Sequence, residues 1–245
     1  MATNLELRST YFYTEGMGSI PTATSPKPLN TASEISSVFK NKFAVATHIS
    51  ESIHRGIGKE LASMTTNLSA KRLASKINSS LDNTSKYSLA DIVDDLRGYD
   101  FNEESSFDAL VKTKFCVKSG AHKGHAIFHV PAFIPINDIK VPKQATNFKI
   151  SARLVSVSDF LIKTDSIEML SPKADSKKGS FQSPMLPILQ TSTEPMTAQL
   201  RLLETGPIAQ NASTVLVIGV MFYRYEDKKF VALDEEGIIS IRNVF

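Results

Sequence analysis

Two hydrophobic rhythms divide the chain near residue 108. Before it, Ile35, Val38, Phe39, Val45, Ala46, Ile49 and Ile53 recur at three- and four-residue intervals, a helical stripe of about five turns. Thr31-Ala-Ser-Glu34 gives that stripe a capping box, the hydroxyl accepting an early backbone N–H and the carboxylate reaching back. Gly56-Ile57-Gly58 interrupts it, because glycine inside a helix costs about 1 kcal/mol relative to alanine. A second helix is predicted from Lys59 to Leu81 through Leu61, Met64, Leu68, Leu73 and Ile77. A short third starts at a Ser88 cap, carries Leu89, Ile92, Val93 and Leu96, and ends at Gly98.

After residue 108 the period becomes two. Val111, Thr113, Phe115 and Val117 alternate with Lys112, Lys114, Cys116 and Lys118, which predicts a strand with one wet face. Ala126, Phe128 and Val130 continue across a glycine-containing turn; Phe148, Ile150, Ala152 and Leu154 form another strand, and Ala198, Leu200 and Leu202 a further one. Residues 214–244 read as a meander with turns at 226–229 and 234–237, connections too short for crossover helices. Prolines exclude Val130–Pro135 from a central strand, and the Pro- and Ser-rich stretch 171–196 is expected to be a long surface loop. The pattern predicts an α+β fold: an extended arm over 1–30, a helical region over 31–108, and an antiparallel sandwich or barrel-like domain over 109–245.

Composition changes this picture little. Hydrophobic residues at 42% and charged residues at 22% are those of an ordinary globular chain, which excludes collagen-like and wholly disordered classes. The longest apolar run, Val215–Phe222, is far short of the roughly 20 residues a helical bilayer crossing needs. Met1–Ser19 lacks a basic segment followed by an unbroken apolar one, so no cleaved signal is expected. The single cysteine, Cys116, fits a reducing compartment, and a soluble, cytoplasmic protein is the expectation. The net charge of +3 conceals two blocks. Residues 38–87 hold eight basic side chains against three acidic, a net +5; residues 88–108 hold seven acidic against one basic, a net −6. Adjacent blocks of opposite sign suit complementary faces, within one chain or between subunits.

Four constellations carry potential chemistry. Arg55-Gly-Ile-Gly-Lys-Glu-Leu-Ala62 resembles part of a helix-hairpin-helix element, with Gly56, Ile57, Gly58 and Ala62 at the pattern positions. The resemblance implies non-specific nucleic-acid binding: glycines admit a phosphate to the backbone N–H groups, and Arg55 and Lys59 add charge. His54 stands where that pattern has an apolar residue, and a glycine break between packed helices is the ordinary reading of the same residues. His122, His125 and His129 cluster near Cys116, but His125 and His129 would lie about 13 Å apart on a strand, too far to share one ion. Asp91 and Asp95 share a helix face at i, i+4, which is more often solvated than catalytic. Phe222–Tyr225 and Lys228–Phe230 interleave aromatic and basic side chains, although Phe222 belongs with the core. No nucleophile elbow, zinc-protease helix or dinucleotide loop is present, so no catalytic residue, metal ligand or cofactor is assigned.

Val130-Pro-Ala-Phe-Ile-Pro135, Ala145-Thr-Asn-Phe-Lys-Ile150 and Lys42-Phe-Ala-Val-Ala46 resemble segments of a group of uncharacterised proteins from Bacteroidetes genomes. That resemblance implies the same helices-then-strands layout and a bacterial or mobile-element origin, and it implies no activity. The functional expectation is a non-catalytic structural or protein-interaction module that assembles with itself or another protein. The alternative is a nucleic-acid binder using Arg55, Gly56, Gly58 and Lys59.

Overall fold

The computed structural model describes residues 32–66, 68–82, 84–102, 105–163, 166–202, 210–233 and 236–245, with side chains from residue 41 onward. The arm over 1–30 and the capping box at Thr31 and Glu34 lie outside these residues or side chains.

The helices come first: α1 (Ala32–Ala62), α2 (Ser69–Ser80), a 3-10 turn (Leu89–Ile92) running into α3 (Val93–Leu96), and the one-turn α4 (Phe107–Leu110) and α5 (Pro135–Asp138). The strands are β1 (Lys86–Tyr87), β2 (Cys116–Ser119), β3 (His125–Val130), β4 (Asn147–Ser158), β5 (Phe160–Lys163), β6 (Ser166–Met169), β7 (Lys178–Gln182), β8 (Leu186–Pro187), β9 (Met196–Arg201), β10 (Ala212–Glu226), β11 (Lys229–Ala232) and β12 (Ile238–Val244). Every pairing is antiparallel. The α+β class with helices ahead of strands is thus the observed one, and its sheets are open rather than closed barrels.

Three layers result. The central sheet runs β11-β10-β4-β7, with β12 beside β11 on the outer edge of β10 and β8 beside β4. Because side chains alternate across a strand, β10 divides its apolar residues between two cores. Val215, Val217 and Met221 join Val157 of β4 and Ile239 and Ile241 of β12 under α1 and α2. Leu216, Ile218, Val220 and Phe222 join Phe148, Ile150, Ala152 and Leu154 of β4 against the outer sheet β2-β3-β9, through Phe128, Val130 and Leu200. A third small sheet, β1-β5-β6, closes one end of the helical layer. The helices and the central sheet therefore share one core. Among the described residues no helix is long and apolar enough to cross a membrane.

Four expectations change. The predicted helix over 59–81 is broken: α1 ends at Ala62 and α2 starts only at Ser69. Hydroxyls end α1, with Ser63 Oγ donating to Glu60 O at 2.9 Å and Thr65 Oγ1 to Ala62 O at 2.8 Å, in competition with backbone donors. The strand expected from Val111 starts at Cys116, because Leu110 and Lys112 bond instead to the end of α5 and the segment after it (Lys112 N to Asp138 O, Lys140 N to Leu110 O, both 2.8 Å). The loop expected over 171–196 contains a 3-10 turn at Pro172–Ala174 and the strands β7 and β8. The hairpin of β5 and β6 has no counterpart among the expected elements.

The helical layer sits unusually close to the sheet. A Cβ at Gly56 would overlap both methyls of Val155 on β4, and one at Gly219 of β10 would lie 2.7 Å from Leu61 Cδ2. Each surface supplies one glycine to the contact. Gly56→Ala is expected to cost about 1–3 kcal/mol by overpacking, despite alanine's better helix propensity. Chemical denaturation of a double-mutant cycle checks it: most of that cost should disappear in a Val155→Ala background.

Candidate functional site

The residues Arg55 to Lys59 stand together on α1, but their neighbours give them structural partners. Gly56 is buried on Val155. Gly58 has φ 78° and ψ 165°, a left-handed conformation that glycine adopts without strain, and it kinks α1 one turn before its end. A kink leaves a backbone carbonyl without its helical donor, and here Arg153 of β4 fills the gap: its Nε donates to Ile57 O at 3.3 Å. The same guanidinium donates to Phe181 O at 3.4 Å and pairs with Glu60 at 3.5 Å. Arg55 donates to Ser52 Oγ at 3.1 Å and pairs with the buried Asp175 carboxylate at 3.6 Å, while Lys59 is exposed. Asp175 also accepts from Ser52 Oγ at 2.8 Å and from Ser158 N at 3.0 Å, tying α1 to the end of β4. Only four residues of helix follow Gly58, and the helical hairpin itself turns later, between Ala62 and Ser69.

His54, the residue that departs from the hairpin pattern, fastens α1 to α2. Its Nδ1 lies 3.0 Å from Ser50 O and its Nε2 2.9 Å from Ser69 Oγ, and its ring meets Phe101 edge-on at 5.4 Å. A neutral ring protonated on Nδ1 satisfies both contacts, donating to the carbonyl and accepting from the hydroxyl. Burial lowers the imidazole pKa, against the Ser50 carbonyl that favours the cation.

The other sequence constellations separate. Cys116 lies opposite His129 on the wet face of the outer sheet, and His129 Nδ1 is 2.8 Å from Thr197 Oγ1. Among the described residues no three His, Cys, Asp or Glu side chains gather as metal ligands. Asp95 pairs with Lys76 at 3.4 Å and Asp94 with Arg97 at 3.8 Å, so part of the acidic block is met within the chain. Phe222 is buried, whereas Tyr225 and Phe230 stack at 5.0 Å on the tip of the β10–β11 hairpin. That tip turns through Asp227 and Lys228, both at positive φ, and Tyr225, Phe230 and Val231 remain 52%, 46% and 44% exposed. Among the described residues β11 pairs with no strand other than β10.

The sequence gives no direct sign of a concavity beside the end of β12. A half-open cleft of about 560 Å3 lies between α4 with the segment Val111–Val117 on one side and the end of β12 on the other. Among the described residues its cationic groups are Arg97, Lys112, Lys114 and Arg242, its one carboxylate is Asp108, and Phe107, Val111, Phe115 and Val117 form apolar wall. Arg242 is the extra residue of a β-bulge: Leu216 faces Asn243 and Val217 faces Ile241, so Arg242 is skipped in the register. Its Nη2 donates to Asp108 Oδ1 at 2.9 Å, its guanidinium lies 4.9 Å from the centre of the Phe107 ring, and its buried Nη1 has no partner among the described residues. Nearby, burial raises the Asp100 carboxyl above the ordinary range, against hydrogen bonds from Ser240 and the Phe107 backbone and the attraction of Arg242. One signal for this region was available: residues 109–153 hold eight basic side chains and a single acidic one, Asp138.

Two outcomes follow from the α1 contacts. Arg153→Met is expected to lower stability by about 2 kcal/mol, since it strips the Ile57 carbonyl of its donor and Glu60 of its partner; urea unfolding measures it. Because the folded His54 pKa lies below the ordinary 6.5, its contribution to stability is complete above that pH and is lost as pH falls through the folded value. His54→Gln should flatten the decline in melting temperature below about pH 6.5.

Set beside known proteins, the chain matches no protein-family model, and no curated protein matches it at a significant level.

Proposed function

We propose that the protein is a non-catalytic assembly module that pairs with a second copy of itself along the free edge of β11. The observation that carries this reading is the exposed, apolar Tyr225–Phe230–Val231 tip on an edge strand without a covering element among the described residues. An exposed edge with apolar side chains is a template for strand addition unless charge or proline blunts it. In β11 the only charged residue is Lys229.

Register parity narrows the geometry. Glu226 and Lys229 close a two-residue hairpin, so the N–H groups of Lys229 and Val231 face β10. Phe230 and Ala232 then present their backbone groups outward. An antiparallel pair of β11 strands centred on Val231 places Phe230 against Ala232 of the other copy and Val231 against Val231. No like charges face each other in that register, and the contact is self-complementary under a two-fold axis.

Size-exclusion chromatography with light scattering tests the reading at about 100 μM protein, where a weak edge contact is still populated. The expected result is a dimer for the full chain. Val231→Lys, which sets two cations face to face, and Ala232→Pro, which removes an outward donor, should each give monomers with near-unchanged melting temperature. A wild-type monomer at this concentration overturns the proposal. So does a dimer that survives both substitutions and is lost only when residues 1–30 are deleted.

A further inference from the structure

We infer that the cleft between α4 and the bulge of β12 binds a small organic phosphate, its charge held by Arg97, Lys112, Lys114 and Arg242 and its body by Phe115. Three independent features converge there. Among the described residues four cations line the cleft against the carboxylate of Asp108, and Asp94 pairs with Arg97 from outside it, which leaves an excess of +2 that a monovalent anion compensates only in part. Lys114 has no partner among the described residues, and Lys112 makes one exposed bond, 3.2 Å to the Asn137 carbonyl, which a phosphate oxygen can replace. Mobile ammonium groups beside a fixed guanidinium are a common recipe for phosphate recognition.

Arg242 is the second feature. The bulge puts this one residue out of ladder register, and bulges characteristically re-aim a side chain beside a site. Asp108 on one side and the Phe107 face on the other hold the guanidinium, so it loses little freedom when a ligand arrives. Its second terminal nitrogen, Nη1, is buried and unbonded among the described residues. The side chain as a whole keeps about a quarter of its surface exposed in the cleft, where an anion can approach it.

Shape is the third. A cleft of about 560 Å3 falls within the range of small-molecule sites and is far larger than a lone phosphate requires. Phe107 and Phe115 meet edge-on at 6.1 Å and Phe115 is half-buried, which leaves aromatic surface for an apolar or planar ligand body. The cleft is distinct from the β11 edge, so this inference stands or falls without the assembly reading.

Isothermal titration calorimetry at low salt provides the test, with ADP and phenyl phosphate as probes and with pyrophosphate and adenosine as headgroup and body controls. At least one organic phosphate is expected to bind with Kd below about 1 mM, at least tenfold tighter than pyrophosphate, with no detectable binding of adenosine. Lys114→Ala and Arg97→Ala, both exposed and remote from either core, should each weaken it about fivefold or more while leaving the melting temperature unchanged. Raising the salt should weaken it further. Failure of both organic phosphates to bind, binding undiminished in either variant, or pyrophosphate binding within tenfold of the tighter probe would each overturn the inference.

Discussion

The closeness of α1 to the central sheet constrains nearly everything else. A helix normally rides on its side chains, but here Gly56 sets its backbone on the methyls of Val155, and Gly219 admits Leu61 and Met64 into the sheet. Dispersion and burial reward such an approach only where both surfaces are complementary over their whole length. Two residues beyond this contact Gly58 kinks the helix, and Arg153 reaches up from β4 to bond the Ile57 carbonyl. Polar groups at the same boundary are satisfied in pairs across it, Ser52 with Asp175 on one side of the contact and Arg153 with Glu60 on the other. The helical layer is therefore keyed to one position on the sheet by steric fit and by partly buried hydrogen bonds together.

Much of the architecture was legible because β3, β4 and β10 each bury one or both faces, and burial imposes apolar character at fixed spacing. Phe148, Ile150, Ala152 and Leu154 do lie on one face, and the turn at 226–229 joins β10 to β11 as the sequence implies, but the expected meander does not form, because β12 returns to pair with β10 rather than with β11. β7 was illegible for the converse reason. Lys178, Ser180 and Gln182 face outward, while Gly179 is there to let the Arg201 backbone come close rather than to fill a core. The break between α1 and α2 was hidden because the apolar stripe continues in phase through Leu61, Met64 and Leu73 although the helix does not.

The candidate site was legible only in fragments. Arg55, Gly56, Gly58 and Lys59 stand out in the sequence, but what the glycines contact depends on a strand about a hundred residues away. The cleft draws on residue 97, on 107–117 and on 242, and no local spacing links such segments. The bulge that sets Arg242 apart leaves no mark in the hydrophobic pattern, since a single extra residue near the end of a strand reads as ordinary alternation. A regional charge count over 109–153 would have pointed to the lysines, though not to the arginines that complete the cleft.

The ladder between β4 and β10 has a kinetic corollary. Its partners are separated by 54 residues at Ser158–Ala212 and by 76 at Asn147–Tyr223, whereas β10, β11 and β12 follow one another directly. Loop closure makes distant pairings slow relative to adjacent hairpins. The pairings of β11 and β12 with β10 are thus expected to form ahead of the central one, and until β4 docks, the run Val215–Phe222 presents an open, uncharged strand edge to other unfinished chains. Yield of the native molecule is then governed by the competition between intramolecular docking and intermolecular capture, so chain concentration during synthesis matters as much as the stability of the finished fold.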